Sequence, residues 1–132
     1  MKLKLQVVTP TRTIVSTDAD SVELPGELGY LGILPGHTPL ITVLKTGVLT
    51  YRDGAEERSL AISAGFAEIA GDAVTVLADQ ADEPRDVDVP AAEREITKAE
   101  EELKSAGVEA VDEIRMRLEL AQARLVIAKR GK

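Results

Sequence analysis

The chain has 132 residues, enough for one ordinary domain or for a small domain with an appendage. It contains no cysteine, only three aromatic residues (Tyr30, Tyr51 and Phe66) and a formal net charge of −7. This composition excludes disulfides and thiolate chemistry, predicts an aliphatic core, and disfavours nucleic acid as a partner, since the chain is acidic and carries no motif that reads bases.

The N-terminal quarter of the chain predicts three strands. Residues 2–8 read KLKLQVV, an alternation that puts Leu3, Leu5 and Val7 on one face. After a turn at 9–12, residues 13–17 and 20–25 form two further extended runs.

Residues 26–40, GELGYLGILPGHTPL, predict a compact and specified loop rather than a helix or a simple strand. Glycines stand at three-residue spacing and are followed by Pro35 and Pro39. The spacing is GxxGxxG rather than GxGxxG, and the prolines prevent the helix that would present its N-terminus to a phosphate. We therefore expect no dinucleotide site here.

Short extended segments resume after this loop. Asp53-Gly54 predicts a tight hairpin between two of them. The pattern predicts a β-sandwich or barrel of about ten short strands over residues 1–83. The segments are 39–44, 47–52, 57–63, 65–71 and 73–79.

The pattern changes after residue 81, where prolines and acidic residues mark a linker that we place at 84–90. Asp88 is the predicted N-cap of a first helix, with Pro90 in its first turn. The helix shows one apolar stripe and is interrupted at 105–107. A second, alanine-rich stripe follows. The two stripes predict an antiparallel helical hairpin over 91–132. Their residues are Ala92, Ile96, Ala99 and Leu103, then Val111, Ile114, Leu118, Ala121, Leu125 and Ala128.

The charge is unevenly distributed along the chain. Residues 1–83 carry 6 basic and 12 acidic groups, whereas residues 114–132 carry 6 basic groups and one acidic group, Glu119. This asymmetry predicts a partner with an acidic surface for the C-terminal segment.

Four motifs in order resemble one known family. They are GYLGILPGHTPL at 29–40, KTGVLT at 45–50, GFAEI at 65–69 and VTVLAD at 74–79. With the helical tail behind them, they are similar to the epsilon subunit of the F-type ATP synthase over nearly the whole chain. The resemblance implies a non-catalytic central-stalk subunit that couples the gamma subunit to the c-ring. It also implies a peripheral position at the cytoplasmic face of a bacterial plasma membrane, without insertion into the membrane.

The resemblance implies two sets of contact residues. The glycine-rich loop would face the c-ring and the foot of the gamma subunit, with Glu27, Tyr30 and His37 as contacts. The hairpin would be regulatory, permissive when folded down and inhibitory to ATP hydrolysis when extended along the stalk. Its contacts to an acidic segment of a beta subunit would be Arg115, Arg117, Arg124, Lys129 and Arg130.

The resemblance also raises a nucleotide site, since many bacterial members carry IDxxRA at the start of the first helix. Here the run is VDVPAA, so Asp88 is kept but Ala91 replaces the arginine, and Arg94 lies one turn further on. Gln122 and Val126 stand where further arginines are expected, although a small shift in alignment brings in Arg124. Because a polyphosphate needs such donors, we predict weak or absent ATP binding and no cofactor.

No residue pattern indicates catalysis. His37 is the only histidine and has no second imidazole or cysteine to share a metal. Glu101 and Glu102 point to different faces of a helix and form no acid–base pair. A second hypothesis stays open, a free-standing β-sandwich interaction module with a helical oligomerisation tail. Purification would separate the two hypotheses, because a rotor subunit co-elutes with gamma and with ATPase activity.

Overall fold

The structure, a computed structural model, describes residues 1–131. Ten strands precede two helices, which confirms the predicted architecture. The strands are β1 (Leu3–Val8), β2 (Thr13–Ala19), β3 (Ser21–Gly26), β4 (Gly29–Ile33), β5 (Leu40–Leu44), β6 (Gly47–Asp53), β7 (Glu56–Ile62), β8 (Gly65–Ala70), β9 (Ala73–Ala78) and β10 (Ala81–Asp82). A 3-10 turn (Pro84–Asp86) leads to α1 (Val89–Ser105) and α2 (Val108–Arg130).

The strands follow one hydrogen-bonded path that curls over a single core. Their order is β10-β7-β6-β3-β5-β8-β9-β1-β2, with β4 paired to β3. Neighbours are antiparallel except β1 and β9, which are parallel. Strand β2, at one end of the path, contacts β6, so the sheet folds into a sandwich that is nearly a barrel.

The core is aliphatic, as the composition predicts. The alternation in β1 holds, since Leu3, Leu5 and Val7 are all buried. Tyr51 is the one aromatic side chain in the core cluster, whereas Tyr30 and Phe66 are exposed. Aromatic rings are therefore found mainly on the surface of this domain, where they are available to partners.

The prediction that residues 26–40 form a loop without a strand is wrong for the first half of the segment. Strand β4 pairs with β3 from Val22↔Ile33 to Gly26↔Gly29, which leaves only Glu27 and Leu28 as the turn. The prediction treats glycine and proline as residues that interrupt regular structure. Here Gly29, with φ +135, instead allows the chain to reverse direction within two residues, so that a strand can follow. The remainder, 34–39, is irregular.

Helix α1 begins as predicted, because the side chain of Asp88 accepts a hydrogen bond from the Ala91 amide at 3.0 Å. Helix α2 has two apolar faces rather than the single predicted stripe. Ile114 and Ala121 belong to the predicted stripe and are buried. A second face packs on Val48 of β6 and Ala61 of β7. This second face, Leu120, Ala123 and Ile127, docks the hairpin on the sheet domain.

Candidate functional site

The outer surface of strands β5, β8 and β9 carries an exposed apolar face. Val43, Phe66 and Leu77 lie side by side across these strands, through the pairs Val43↔Phe66 and Phe66↔Leu77. Ile41, two residues before Val43, is 72% exposed, and Phe66 is 55% exposed. We call Ile41, Val43, Phe66 and Leu77 the apolar face. Contiguous exposed apolar side chains make this face a candidate partner surface.

An open depression of about 550 Å³ adjoins the apolar face. Phe66 and Leu77 form part of its wall, and Val8, Pro10 and Met116 are among the other residues that line it. Met116 belongs to α2, so the depression lies where the sheet domain meets the hairpin. Neither surface could be predicted from the sequence, because alternation in β5, β8 and β9 predicts the buried face and treats the other face as solvated.

The turn between β3 and β4 presents a second exposed surface. Glu27 and Leu28 form its tip, and Leu28 is fully exposed. Tyr30 follows with its ring half exposed, while its hydroxyl accepts a hydrogen bond from the Val48 amide at 3.3 Å. Leu28 was not among the predicted contact residues. Only the two-residue turn, which the sequence did not predict, shows that it projects from the domain.

The structure does not bring His37 to this tip. The five residues of β4 separate them, and a strand of that length spans roughly 16 Å. His37 lies beyond the far end of β4, where its Nδ1 donates to the carbonyl oxygen of Thr38 at 2.6 Å. The neighbouring Gly36 amide donates to Asp72 Oδ1 at 2.9 Å, which fastens this loop to the turn between β8 and β9. Glu27 and Tyr30 thus form one group, and His37 stands apart.

Arg117 of α2 is held by two carboxylates of α1. Its Nε donates to Glu95 Oε1 at 2.8 Å and its Nη2 donates to Glu102 Oε2 at 2.7 Å. These contacts raise the pKa of Arg117 above its ordinary value, and the hydrogen bond to Glu102 is the largest cause. The same bond lowers the pKa of Glu102. One of the five predicted inhibitory cations is therefore engaged inside the hairpin.

Arg124 and Arg130 connect α2 to the sheet domain. Arg124 Nε donates to Asp82 Oδ2 at 2.7 Å and its Nη2 donates to Gln80 Oε1 at 3.1 Å. Arg130 Nη1 donates to the buried Ser59 hydroxyl at 2.9 Å. Arg124 is half-buried, whereas Arg130 is exposed but bonded to Ser59 through its guanidinium group. Together with Arg117, three of the five predicted inhibitory residues are therefore bound within the chain when the hairpin is docked.

The other two predicted inhibitory residues differ. Arg115 and Lys129 are exposed, and neither makes an ion pair or side-chain hydrogen bond with any of residues 1–131. In the docked hairpin these are the two of the five that remain open to a partner.

The two predicted nucleotide contacts line different depressions. Asp88 borders one between β10, the start of α1 and α2, together with Arg117 and Arg124. Arg94 lies on the outer side of α1, beside Pro90. The residues that the nucleotide prediction joined are therefore not gathered at one site.

Within the described part of the chain, neither helix is long and apolar enough to cross a membrane.

The fold and its surfaces define a two-part protein, a β-sandwich that displays an exposed apolar face and carries a docked helical hairpin. A family model described as the β-sandwich domain of the ATP synthase delta/epsilon chain matches residues 2–84. The ATP synthase epsilon chain of Koribacter versatilis (strain Ellin345) is 42% identical over 106 residues, 80% of this chain and 75% of that one. ATP synthase epsilon chain 2 of Syntrophotalea carbinolica is 36% identical over 132 residues, 98% of this chain and 96% of that one.

Two solved structures share the fold. A chain in the cryo-EM structure of the Euglena gracilis mitochondrial ATP synthase aligns with a TM-score of 0.82 at 19% identity, covering 97% of this chain and 81% of that one. A chain in the central stalk and c-ring structure of the Tetrahymena thermophila mitochondrial ATP synthase aligns with a TM-score of 0.67 at 13% identity, covering 97% of both. At these identities the likeness concerns the fold alone.

The chain belongs to the ATP synthase delta/epsilon family. The resemblance drawn from the four motifs is thereby confirmed, and with it the prediction of an epsilon-type subunit that has no catalytic role of its own. The family assignment favours this hypothesis over a free-standing interaction module. The burial of the second face of α2 within the same chain agrees with that choice.

Proposed function

We propose that this chain is a rotor subunit of the central stalk, which couples the gamma subunit to the c-ring and restrains ATP hydrolysis through its hairpin. In this proposal residues 1–83 bind the stalk, 84–90 form a linker, and 91–132 form the regulatory element. No reacting group is required of such a subunit, since its work is to transmit torque and to change position.

The exposed apolar face is the observation that carries the proposal, and we assign it to the gamma subunit. Phe66 lies at its centre, between Val43 and Leu77, and both Phe66 and Leu77 also line the adjoining depression. Burying such side chains against a partner contributes about 25 cal/mol per Å² of apolar area. A broad contact on a rigid sheet also suits a subunit that must turn with the stalk without slipping.

We assign the tip between β3 and β4 to the c-ring. Glu27 and Leu28 form a narrow projection in which a charged and an apolar side chain are adjacent and exposed. Tyr30 supports it, because its hydroxyl is tied to the Val48 amide while its ring stays half exposed. His37, being at the other end of β4, would touch a different part of the stalk.

For the hairpin, the docked arrangement corresponds to the permissive state. Arg117, Arg124 and Arg130 are bound within the chain in this arrangement. Undocking would release them beside Arg115 and Lys129, which are already exposed. Five cations on one helix would then be available to an acidic segment of a beta subunit.

The two relatives matched by sequence, from Koribacter versatilis and Syntrophotalea carbinolica, come from bacteria, which supports a position at the cytoplasmic face of a bacterial plasma membrane. The subunit would be held there peripherally, through the gamma subunit and the c-ring.

Co-purification of the full chain with its gamma subunit tests the proposal. F66D places a charge at the centre of the apolar face and is expected to abolish co-elution. V108D is the matched control, because Val108 is also exposed but lies at the bend between α1 and α2. Retention of gamma binding by F66D would contradict the assignment. Self-assembly of the chain without gamma would favour the free-standing module instead.

A further inference from the structure

Helix α2 carries two arginines, at different positions along its length, that bind carboxylates of the same chain. Arg117 bonds Glu95 and Glu102 of α1, and Arg124 bonds Asp82 of β10. The arginines are seven residues apart, about two turns, so they lie on nearly the same face of the helix. One contact joins the two helices, and the other joins the hairpin to the sheet domain.

The depression between these elements has a volume of about 520 Å³ and is negatively charged. Both guanidinium groups that line it are already bonded to carboxylates, so neither has its full set of donors free. The charged residues of its lining are Asp82, Asp86, Asp88 and Glu95 against Arg117 and Arg124. Four carboxylates against two cations would repel a polyphosphate rather than hold it.

The apolar contact beneath this depression is small. It consists of Leu120, Ala123 and Ile127 of α2 with Val48 of β6 and Ala61 of β7, and Val87 packs against it. Alanine contributes little apolar area, so this contact alone gives the hairpin limited adhesion to the sheet. Polar contacts should therefore supply a substantial part of the free energy that docks the hairpin on the sheet domain.

We propose that Arg124, through Asp82 and Gln80, holds the hairpin docked on the sheet domain, and that Arg117, through Glu95 and Glu102, holds its two helices together. The two sets of contacts form an internal latch that needs no bound nucleotide or other anion. The chain's own carboxylates supply the negative charge. Asp82 and Arg124 are mostly shielded from solvent, with side-chain exposures of 23% and 29%, so their contact is less screened than a surface ion pair. The proposal concerns the isolated chain and does not depend on the proposed role in the stalk.

Hydrogen exchange of the isolated full chain, read by mass spectrometry, tests the latch. R124Q and D82N are each expected to speed exchange of the α2 amides about tenfold, the size of one lost charge-assisted hydrogen bond. Exchange in β1 and β9 should be unchanged, because these strands lie in the core of the sheet domain. R115Q is the matched control, since Arg115 is exposed on the same helix and has no partner among residues 1–131. It should leave α2 exchange as it is.

Two further arms make the result decisive. The charge-reversed pair D82R/R124D should recover much of the protection that either single change removes. Millimolar MgATP should leave α2 exchange of the unchanged chain as it was. If R124Q also lost protection in β1 and β9, R124K would replace it, with an intermediate acceleration expected.

The proposal is overturned if R124Q and D82N exchange like R115Q. It is equally overturned if MgATP slows α2 exchange, because nucleotide would then be what holds the hairpin. Neither result would bear on the binding of gamma by the apolar face.

Discussion

Gly65 of β8 lies against the backbone carbonyl of Leu77 in β9, so closely that a side chain at residue 65 would overlap it. A Cβ placed on Gly65 would lie only 2.9 Å from the carbonyl carbon of Leu77 and 3.0 Å from the Cα of Ala78. The close approach lets β8 and β9 pair from Gly65↔Ala78 onward and sets Phe66 beside Leu77. Because Gly65 has no side chain, the two strands can pair closely enough to position Phe66 at the centre of the apolar face.

Replacing Gly65 by alanine is expected to destabilise the sheet domain. The obstruction is backbone rather than a flexible side chain, so we expect a loss of about 3 kcal/mol in unfolding free energy, the upper part of the overpacking range. Urea denaturation followed by circular dichroism measures this. G32A is the control, because a Cβ on Gly32 meets nothing within 4 Å. Equal midpoints for the two variants would show that the strands can separate at no cost.

Ile127 gives a second prediction, on the docking of α2. It is completely buried between α2 and the sheet domain, so I127A should cost about 2–5 kcal/mol. The loss should appear first as faster hydrogen exchange in α2, because the core of the sheet domain does not include Ile127. V126A is the neighbouring control, since Val126 is 41% exposed. An I127A chain with unchanged α2 protection would mean that apolar contact does not hold the hairpin.

The sequence predicted those parts of the fold that depend on local pattern. Alternation of apolar and polar residues predicts β1, Asp88 predicts the N-cap of α1, and the four motifs indicate the family. These signals are local because side-chain periodicity and capping involve residues only a few positions apart.

Features that depend on pairing between residues far apart in the chain could not be predicted from the sequence. Strand β4 exists because its residues pair with β3, which outweighs the low strand propensity of Gly29 and Gly32. The pairing of Arg124 with Asp82 joins residues 42 positions apart. Charge counting predicted a cationic helix that awaits a partner, and could not show that the chain's own carboxylates neutralise part of it.

The contact between Glu102 and Arg117 predicts a dependence of hairpin stability on pH. The bond from Arg117 holds the pKa of Glu102 below its ordinary value of 4.5, with Glu95 and Lys98 as the other charged groups nearby. A carboxyl with a lowered folded pKa stabilises the fold fully above its unfolded value, and this contribution is lost as the pH falls through the folded pKa. E102Q should therefore be less stable than the unchanged chain at neutral pH, and the difference should shrink below pH 4.5.

Unfolding free energies of the unchanged chain and E102Q, measured from neutral pH down to the acid limit of reversible folding, check this. E100Q is the matched control, because Glu100 is exposed on the same helix and has no ion pair among residues 1–131. A stability difference between E102Q and the unchanged chain that stayed constant with pH would contradict the assignment to ionised Glu102.

Nucleotide binding by the isolated chain is predicted to be weak or absent. Ala91 replaces the expected arginine, Arg94 lies on the outer side of α1, and Arg124 is already bonded to Asp82. Isothermal titration calorimetry with MgATP should show no saturation below the millimolar range. A sub-millimolar dissociation constant would contradict this prediction, whatever the state of the hairpin.

The most direct test of the proposed function is the rate of ATP hydrolysis by the reconstituted catalytic complex, with the full chain and with a chain ending at Asp86. Co-elution of the shortened chain with gamma establishes that its sheet domain is folded and bound. We predict a higher rate with the shortened chain, because the basic second helix is removed. An unchanged rate with gamma still bound would contradict an inhibitory hairpin and leave the sheet domain as the functional part of the molecule.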